Sequence, residues 1–234
     1  MLNPPLLIDH PVGADDDAPT VVLAHGAGAG MDSPFMAAMA RNLATVGLRV
    51  VRFEFPYMRA RRADGRRRPP DRLPRLIDCW MAVIAGLNDQ GSRPGDLVIG
   101  GKSLGGRVAG LIADDVGARG LVCLGYPFHA PKKPATEARV AHLATLATPT
   151  LIVQGTRDPF GAPAEVAGYA LSPAVRLAWI EDGDHSLKPR KASGRTEAGT
   201  LDTATTAVAA FVAGLAIDPS ERPPTPPRPR PSGR

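Results

Sequence analysis

The chain has 234 residues, 44% hydrophobic and 22% charged, with two cysteines and a formal net charge of +5. That length and balance suit one α/β domain with apolar material for both faces of a sheet. They exclude a disulfide framework, and no apolar run approaches the roughly 18 residues that a membrane-spanning helix needs. The positive charge is local, concentrated in one arginine-rich stretch and in the C-terminal tail. The N-terminal MLNPPLLIDHP has neither the basic region nor the long apolar region of a secretory signal. Cys79 falls in a predicted helix and Cys123 in a predicted strand. A soluble, cytoplasmic protein is the expectation.

Strand candidates follow one another at 20–24 (TVVLA), 48–54 (LRVVRFE), 97–100 (LVIG), 120–124 (GLVCL), 150–154 (TLIVQ) and 175–180 (VRLAWI). They are almost continuously apolar rather than alternating, as parallel strands are when helices cover both faces. Between them run helical patterns. Leu73, Leu76, Ile77, Trp80, Ile84 and Leu87 recur at helical spacing and predict an amphipathic helix over 71–88. The alternation predicts an α/β fold: a doubly wound, mostly parallel sheet flanked by helices, with right-handed crossovers. Residues 1–217 form the predicted domain. The segment 218–234 (DPSERPPTPPRPRPSGR, beginning at Asp218) is proline-rich, without apolar periodicity, and is expected to be disordered.

Residues 59–72 (RARRADGRRRPPDR) interrupt the pattern. They read as a solvated surface loop before a helix, or alternatively as a patch for anionic partners. No nucleic-acid fold or aromatic stacking surface accompanies the run, which argues against nucleic acid. A protein partner on this segment or on the tail is the other reading.

The chemistry is concentrated after the strand at 97–100. There the chain enters Gly101-Lys102-Ser103-Leu104-Gly105, and a helix carrying Val108, Leu111 and Ile112 follows. A G-x-S-x-G turn between strand and helix holds its serine in a strained conformation, with glycines allowing close approach. The serine then lies at a helix N-terminus, where amides can stabilise a developing oxyanion. A phosphate loop, G-x-x-x-x-G-K-[ST], is the rival reading of GGKS. It requires glycine at position 96, which is Asp96, and Gly95 is one residue early. The apolar strand at 97–100 also leaves no loop to wrap a phosphate.

In such a fold the nucleophile is followed by an acid and then a histidine. Of five histidines, His10 and His25 precede Ser103, and His129 and His142 precede the strand at 150–154. His185, in the loop after the last strand, remains as the base. Asp158, just beyond the strand at 150–154, is the candidate acid. Asp182 and Asp184 lie too near His185 in sequence, and GYPFHA after 120–124 has no carboxylate. The oxyanion amides are assigned to Leu104 and to Ala27 in the small-residue loop AHGAGAGMDSP, with His25 ordering that loop. Met31, Tyr126, Phe128, His129 and Phe160 are predicted to line the substrate cleft. Residues 125–149 leave room for a minimal cap, a helix at most. Lys102, Arg157, Lys188, Arg190 and Lys191 flank the triad positions, reading either as a preference for anionic substrates or as ordinary surface cations. No H-E-x-x-H or paired-cysteine pattern is present, so no metal or organic cofactor is expected.

These segments carry a resemblance: HGAGAGMDSPFM (25–36), GGKSLGGR (100–107), LGYPFHAPKKP (124–134), VQGTRDPFG (153–161) and WIEDGDHSLKPRK (179–191). They resemble a small α/β-hydrolase group that includes testis-expressed protein thirty, the third subunit of the non-specific lethal histone acetyltransferase complex, and bacterial relatives. The chain is more distantly similar to dienelactone hydrolases. The resemblance implies that Ser103, Asp158 and His185 occupy the triad positions. Dienelactone hydrolases use a cysteine nucleophile, so the serine here departs from them and their substrate class does not transfer. Two functions stand as expectations: a serine hydrolase of small carboxylic esters or thioesters, or a catalytically silent scaffold that binds a protein, as in complex-forming members of the group.

Overall fold

A computed structural model describes residues 4–13, 18–129 and 137–215. In chain order its principal elements are β1 (Leu6–Asp9), β2 (Thr20–Ala24), α1 (Pro34–Thr45), β3 (Arg49–Phe53), α2 (Pro56–Asp64) and α3 (Leu73–Asn88). There follow β4 (Leu97–Lys102), α4 (Leu104–Gly110), β5 (Gly120–Leu124), α5 (Glu137–Val140), β6 (Thr150–Gly155), α6 (Pro163–Val166), β7 (Val175–Ile180) and α7 (Glu197–Ala213). The strands form one sheet in the order β1-β3-β2-β4-β5-β6-β7, with β1 antiparallel and the rest parallel. The chain moves from β2 out to β3, then crosses back to β4 on the other side of β2. The crevice beyond the carboxyl ends of β2 and β4 is therefore the topological switch point, where open α/β sheets bind ligands.

Period-two alternation divides each buried strand between two cores. Val22, Ala24, Ile99, Leu121, Cys123 and Ile152 face the layer containing α2, α3 and α4. Val21, Leu23, Val98, Val122, Leu124 and Val153 face α1 and α7. Helix α3 has no side-chain cap, and Pro74 sits in its first turn, where a missing N–H costs nothing. Burial of Leu76, Trp80, Val83, Ile84 and Leu87 decides its stability. Each contributes about 1.5–3 kcal/mol, against about 1 kcal/mol for an absent cap.

The six predicted strands and the helix at 71–88 are present, with ends shifted by no more than two residues. Two elements differ from expectation. β1 is an additional edge strand, and the Arg52–Asp9 ion pair at 2.7 Å ties it to β3. The segment 59–72 is not a loop throughout, because α2 runs to Asp64. Pro56 starts this helix, and Gly65, at φ 72°, stops it with its amide on the Arg61 carbonyl. Tyr57 and Met58 anchor its inner face. Between β5 and β6 the described residues include only the four-residue α5 and a short 3₁₀ turn. The proline-rich segment 218–234 lies outside the described residues. Among those described, no helix is long and apolar enough to cross a membrane.

Candidate active site

β4 delivers Ser103 into a turn with φ 51° and ψ −111°, a conformation that L-residues rarely adopt. Two bonds hold it there. The Ser103 amide donates to the Leu124 carbonyl (3.1 Å), and its carbonyl accepts from the Arg107 amide (3.0 Å). The turn exists because glycine surrounds it: a Cβ at Gly101 or Gly105 would collide with the Ala24 carbonyl oxygen of β2. The register opposes Ala24 to Gly101, so the loop after β2 begins beside the serine.

His185 reaches the same point from the loop after β7. Its Nε2 lies 2.9 Å from Ser103 Oγ, and its Nδ1 lies 2.8 Å from Asp158 Oδ2. A carboxylate accepts only, so the Nδ1 proton faces Asp158 and the Nε2 lone pair receives the serine hydroxyl. Asp158, buried to 1% exposure, also accepts from the Gln154 side-chain amide (2.9 Å) and the Phe160 backbone amide (2.9 Å). The sequence reading overlooked Gln154. Its signal was an amide ending an otherwise apolar strand. Besides Asp158 it binds the backbone of Tyr126 and Gly161, joining the β5 and β6 loops.

Asp182 and Asp184 are not beside the imidazole as orienters; they fold its loop. Asp182 accepts from the Arg190 amide and guanidinium, both at 2.7 Å, and its amide donates to Thr156 Oγ1 (2.8 Å). Asp184 accepts from the amides of Ser186 (2.7 Å) and Lys188 (3.0 Å). Arg157 donates to the Asp182 carbonyl (2.8 Å), and Lys188 pairs with Glu197 (3.0 Å). Arg157, Lys188 and Arg190 thus brace the loop, and their charge is spent on carboxylates and carbonyls of the protein itself.

Lys102 departs furthest from a surface reading. It is buried, its ammonium donates to the His185 carbonyl, and it lies 5.4 Å from the Phe35 ring centroid. Burial pulls its pKa from 10.5 down to about 8, partly opposed by the nearby carboxylates of Asp158 and Asp184. Between these values the unfolded chain holds a proton that the folded one has released, so the Lys102 contribution to stability rises with pH. The difference in urea-unfolding free energy between wild type and Lys102→Met should therefore increase in favour of wild type from pH 8 to pH 10. A difference that stays flat across this range would show that Lys102 is not desolvated.

The other sequence-predicted positions separate into two groups. Phe160 is at the site, its ring 4.3 Å from that of His185. The amide of Leu104 opens α4, without an intrahelical partner, and Ala27 is exposed in the loop after β2. Met31 is buried at the far end of that loop, its carbonyl accepting from Arg52 (2.7 Å). Tyr126 and Phe128 are corrected: both are fully buried core residues, packed edge-to-face at 4.9 Å, and neither lines an open cleft. Gly125, at φ 67°, turns the chain inward before them. His129 is buried and bonds Glu165 of α6 (3.1 Å).

His25 is fully buried and orders its loop, as expected. Its Nδ1–H donates to the Gly26 carbonyl (2.7 Å), while its Nε2 accepts from the Phe55 amide (3.1 Å). Burial lowers its pKa, which favours the neutral ring that this pair of bonds requires.

A family model described as "Alpha/beta hydrolase domain" matches residues 17–213. Solved structures with the same architecture include an alpha-beta serine hydrolase homologue from Coxiella burnetii, 21% identical over 90% of this chain and 91% of that one, with a TM-score of 0.66. A dienelactone hydrolase from Anabaena variabilis is 21% identical over 90% and 91%, with a TM-score of 0.67. A serine hydrolase from Xanthomonas campestris, described as without a lid, is 20% identical over 89% and 87%, with a TM-score of 0.61. At these identities the structures speak for the fold.

Proposed function

The chain belongs to the alpha/beta hydrolase family, and on that premise we propose that it hydrolyses small carboxylic esters or thioesters through an acyl-enzyme on Ser103. The observation that carries the reading is the continuous chain of hydrogen bonds from Ser103 Oγ through His185 to buried Asp158. His185 Nε2 takes the hydroxyl proton as Ser103 Oγ attacks the acyl carbon, and Asp158 stabilises the imidazolium that forms. The carbonyl oxygen, now negative, is received by the amides of Leu104 and Ala27. Collapse of this intermediate breaks the bond to the alcohol or thiol, which leaves with the proton from His185. Water then repeats the sequence: His185 takes its proton, its oxygen attacks the acyl-serine, and Ser103 leaves with the proton as the acid is released.

Phe160 and the triad border the acyl carbon in this reading. The cytoplasm is the proposed location, in keeping with the unpaired, buried thiols of Cys79 and Cys123. Intact mass after treatment with a fluorophosphonate tests the proposal. Wild type is expected to gain one adduct and Ser103→Ala none, with turnover of p-nitrophenyl acetate lost in the same variant. Absence of both labelling and turnover in wild type would leave the silent scaffold as the better description.

A further inference from the structure

The loop after β2 holds the proposed oxyanion amide, yet its own sequence gives it little rigidity. Ala27, Gly28 and Ala29 are exposed, small and outside any helix or strand. Their order comes from His25, whose Nδ1–H holds the Gly26 carbonyl (2.7 Å), and otherwise mostly from α2. The Tyr57 hydroxyl faces both the Gly26 carbonyl (3.2 Å) and the Ala27 carbonyl (3.1 Å). Arg61 donates to the Gly28 carbonyl (3.0 Å), and Arg52 holds that of Met31. Arg62 closes the far end. Its guanidinium makes two bonds to Asp32, at 2.9 and 2.8 Å, and grips the fully buried carboxylate of Glu54. The same carboxylate leaves no room for a side chain at Gly30.

These contacts have a directional consequence. Across a trans peptide the carbonyl and the following N–H point opposite ways. With the carbonyls of residues 26, 27 and 28 all drawn toward α2, the amides of Ala27, Gly28 and Ala29 turn away from it. The nucleophile turn borders this loop: a Cβ at Gly26 would stand 3.4 Å from Lys102 Cγ and 3.7 Å from Ser103 Cβ. We infer that Tyr57, backed by Arg61 and Arg62, is a positioning residue that presents the Ala27 and Gly28 amides to the oxyanion; the inference rests on the reading of Ser103 as nucleophile. Burial raises the Tyr57 pKa well above that of an ordinary phenol, so the hydroxyl stays a donor throughout the working pH range. The arginines at 61 and 62, though partly exposed, thereby act as struts of the loop beside Ser103.

Tyr57→Phe isolates the effect, because it keeps the ring against His25 and Phe55 and removes only the hydroxyl. Loss of a direct oxyanion donor costs about 10²–10³ in kcat, and a positioning residue should cost less, about 10- to 100-fold, with KM changed by no more than about twofold. A readout specific to the oxyanion accompanies the kinetics. In the adduct of Ser103 with a ¹³C-labelled trifluoromethyl ketone, the hemiketal hydroxyl should ionise at higher pH in the variant than in wild type. Fluorophosphonate labelling of wild type is run beside both. If wild type labels and Tyr57→Phe keeps its kcat, the positioning role fails alone. If kcat falls with a lowered melting temperature but an unmoved hemiketal titration, Tyr57 is merely structural and the inference is overturned. If wild type neither labels nor turns over ester, the nucleophile reading fails and this inference with it.

Discussion

Asp158→Asn is expected to lower kcat by about 10⁴ while leaving the fold and KM nearly unchanged. Every described partner of the carboxylate is a donor: the His185 ring, the Gln154 amide and the Phe160 backbone N–H. Asparagine has one acceptor oxygen for these three. If that oxygen stays on Phe160, its NH₂ group faces His185 Nδ1 and forces the ring into the other tautomer. Nε2 then carries a proton and points it at Ser103, where it can no longer accept one. The Gln154 amide loses this acceptor too but keeps the carbonyls of Tyr126 and Gly161, so no buried donor is stranded and the fold is retained. Steady-state hydrolysis of a short-chain ester, with circular dichroism to establish folding, measures the outcome. A folded variant retaining kcat within about tenfold of wild type would show that Asp158 does not set the tautomer.

Much of this site was legible because topology fixes where its parts stand. The apolar runs at 20–24, 97–100, 120–124 and 150–154 are buried on both faces, which makes them conspicuous in one dimension. Their carboxyl ends align, so Ser103, Asp158 and His185 follow from the loops after β4, β6 and β7. β1 was not legible, since LLID is only half-buried and lies at an edge. The run at 59–72 misled only over its first part, since 65–72 is the largely exposed loop before α3. Charge density marks a solvated face only when the side chains have nowhere better to go, and here buried Glu54 and the carbonyl of Gly28 receive two of the arginines. Lys102 did carry a signal. Alternation along β4 sets it on the same face as Val98, toward α1, and Phe35 of that helix lies beneath its ammonium. Tyr126 and Phe128 had none, because the inward turn at Gly125 depends on its backbone angle.

The close approach at the Ser103 turn leads to the second large effect. Gly105→Ala is expected to destabilise the protein by about 3 kcal/mol or more, at or beyond the upper end of the range for overpacking. The new Cβ would run into the Ala24 carbonyl oxygen and stand 2.8 Å from that of His25, and both belong to backbone that cannot rotate away. Nor can α4 retreat, because Gly106 already sits where a Cβ would lie 2.7 Å from the Gly101 carbonyl and 3.2 Å from Cys123 Cα. Any relief must separate α4 from β2, which moves the Leu104 amide away from the Ala27 loop. Activity should therefore fall even at temperatures where the variant remains folded. Gly28→Ala supplies the contrast. A Cβ at Gly28 would meet no atom within 4 Å, so its change in stability should stay within about 0.5 kcal/mol. Urea unfolding of the two variants compares them directly. Equal midpoints would mean that the glycine is tolerated at 105 rather than demanded there, and that strand and helix are not in contact at the serine.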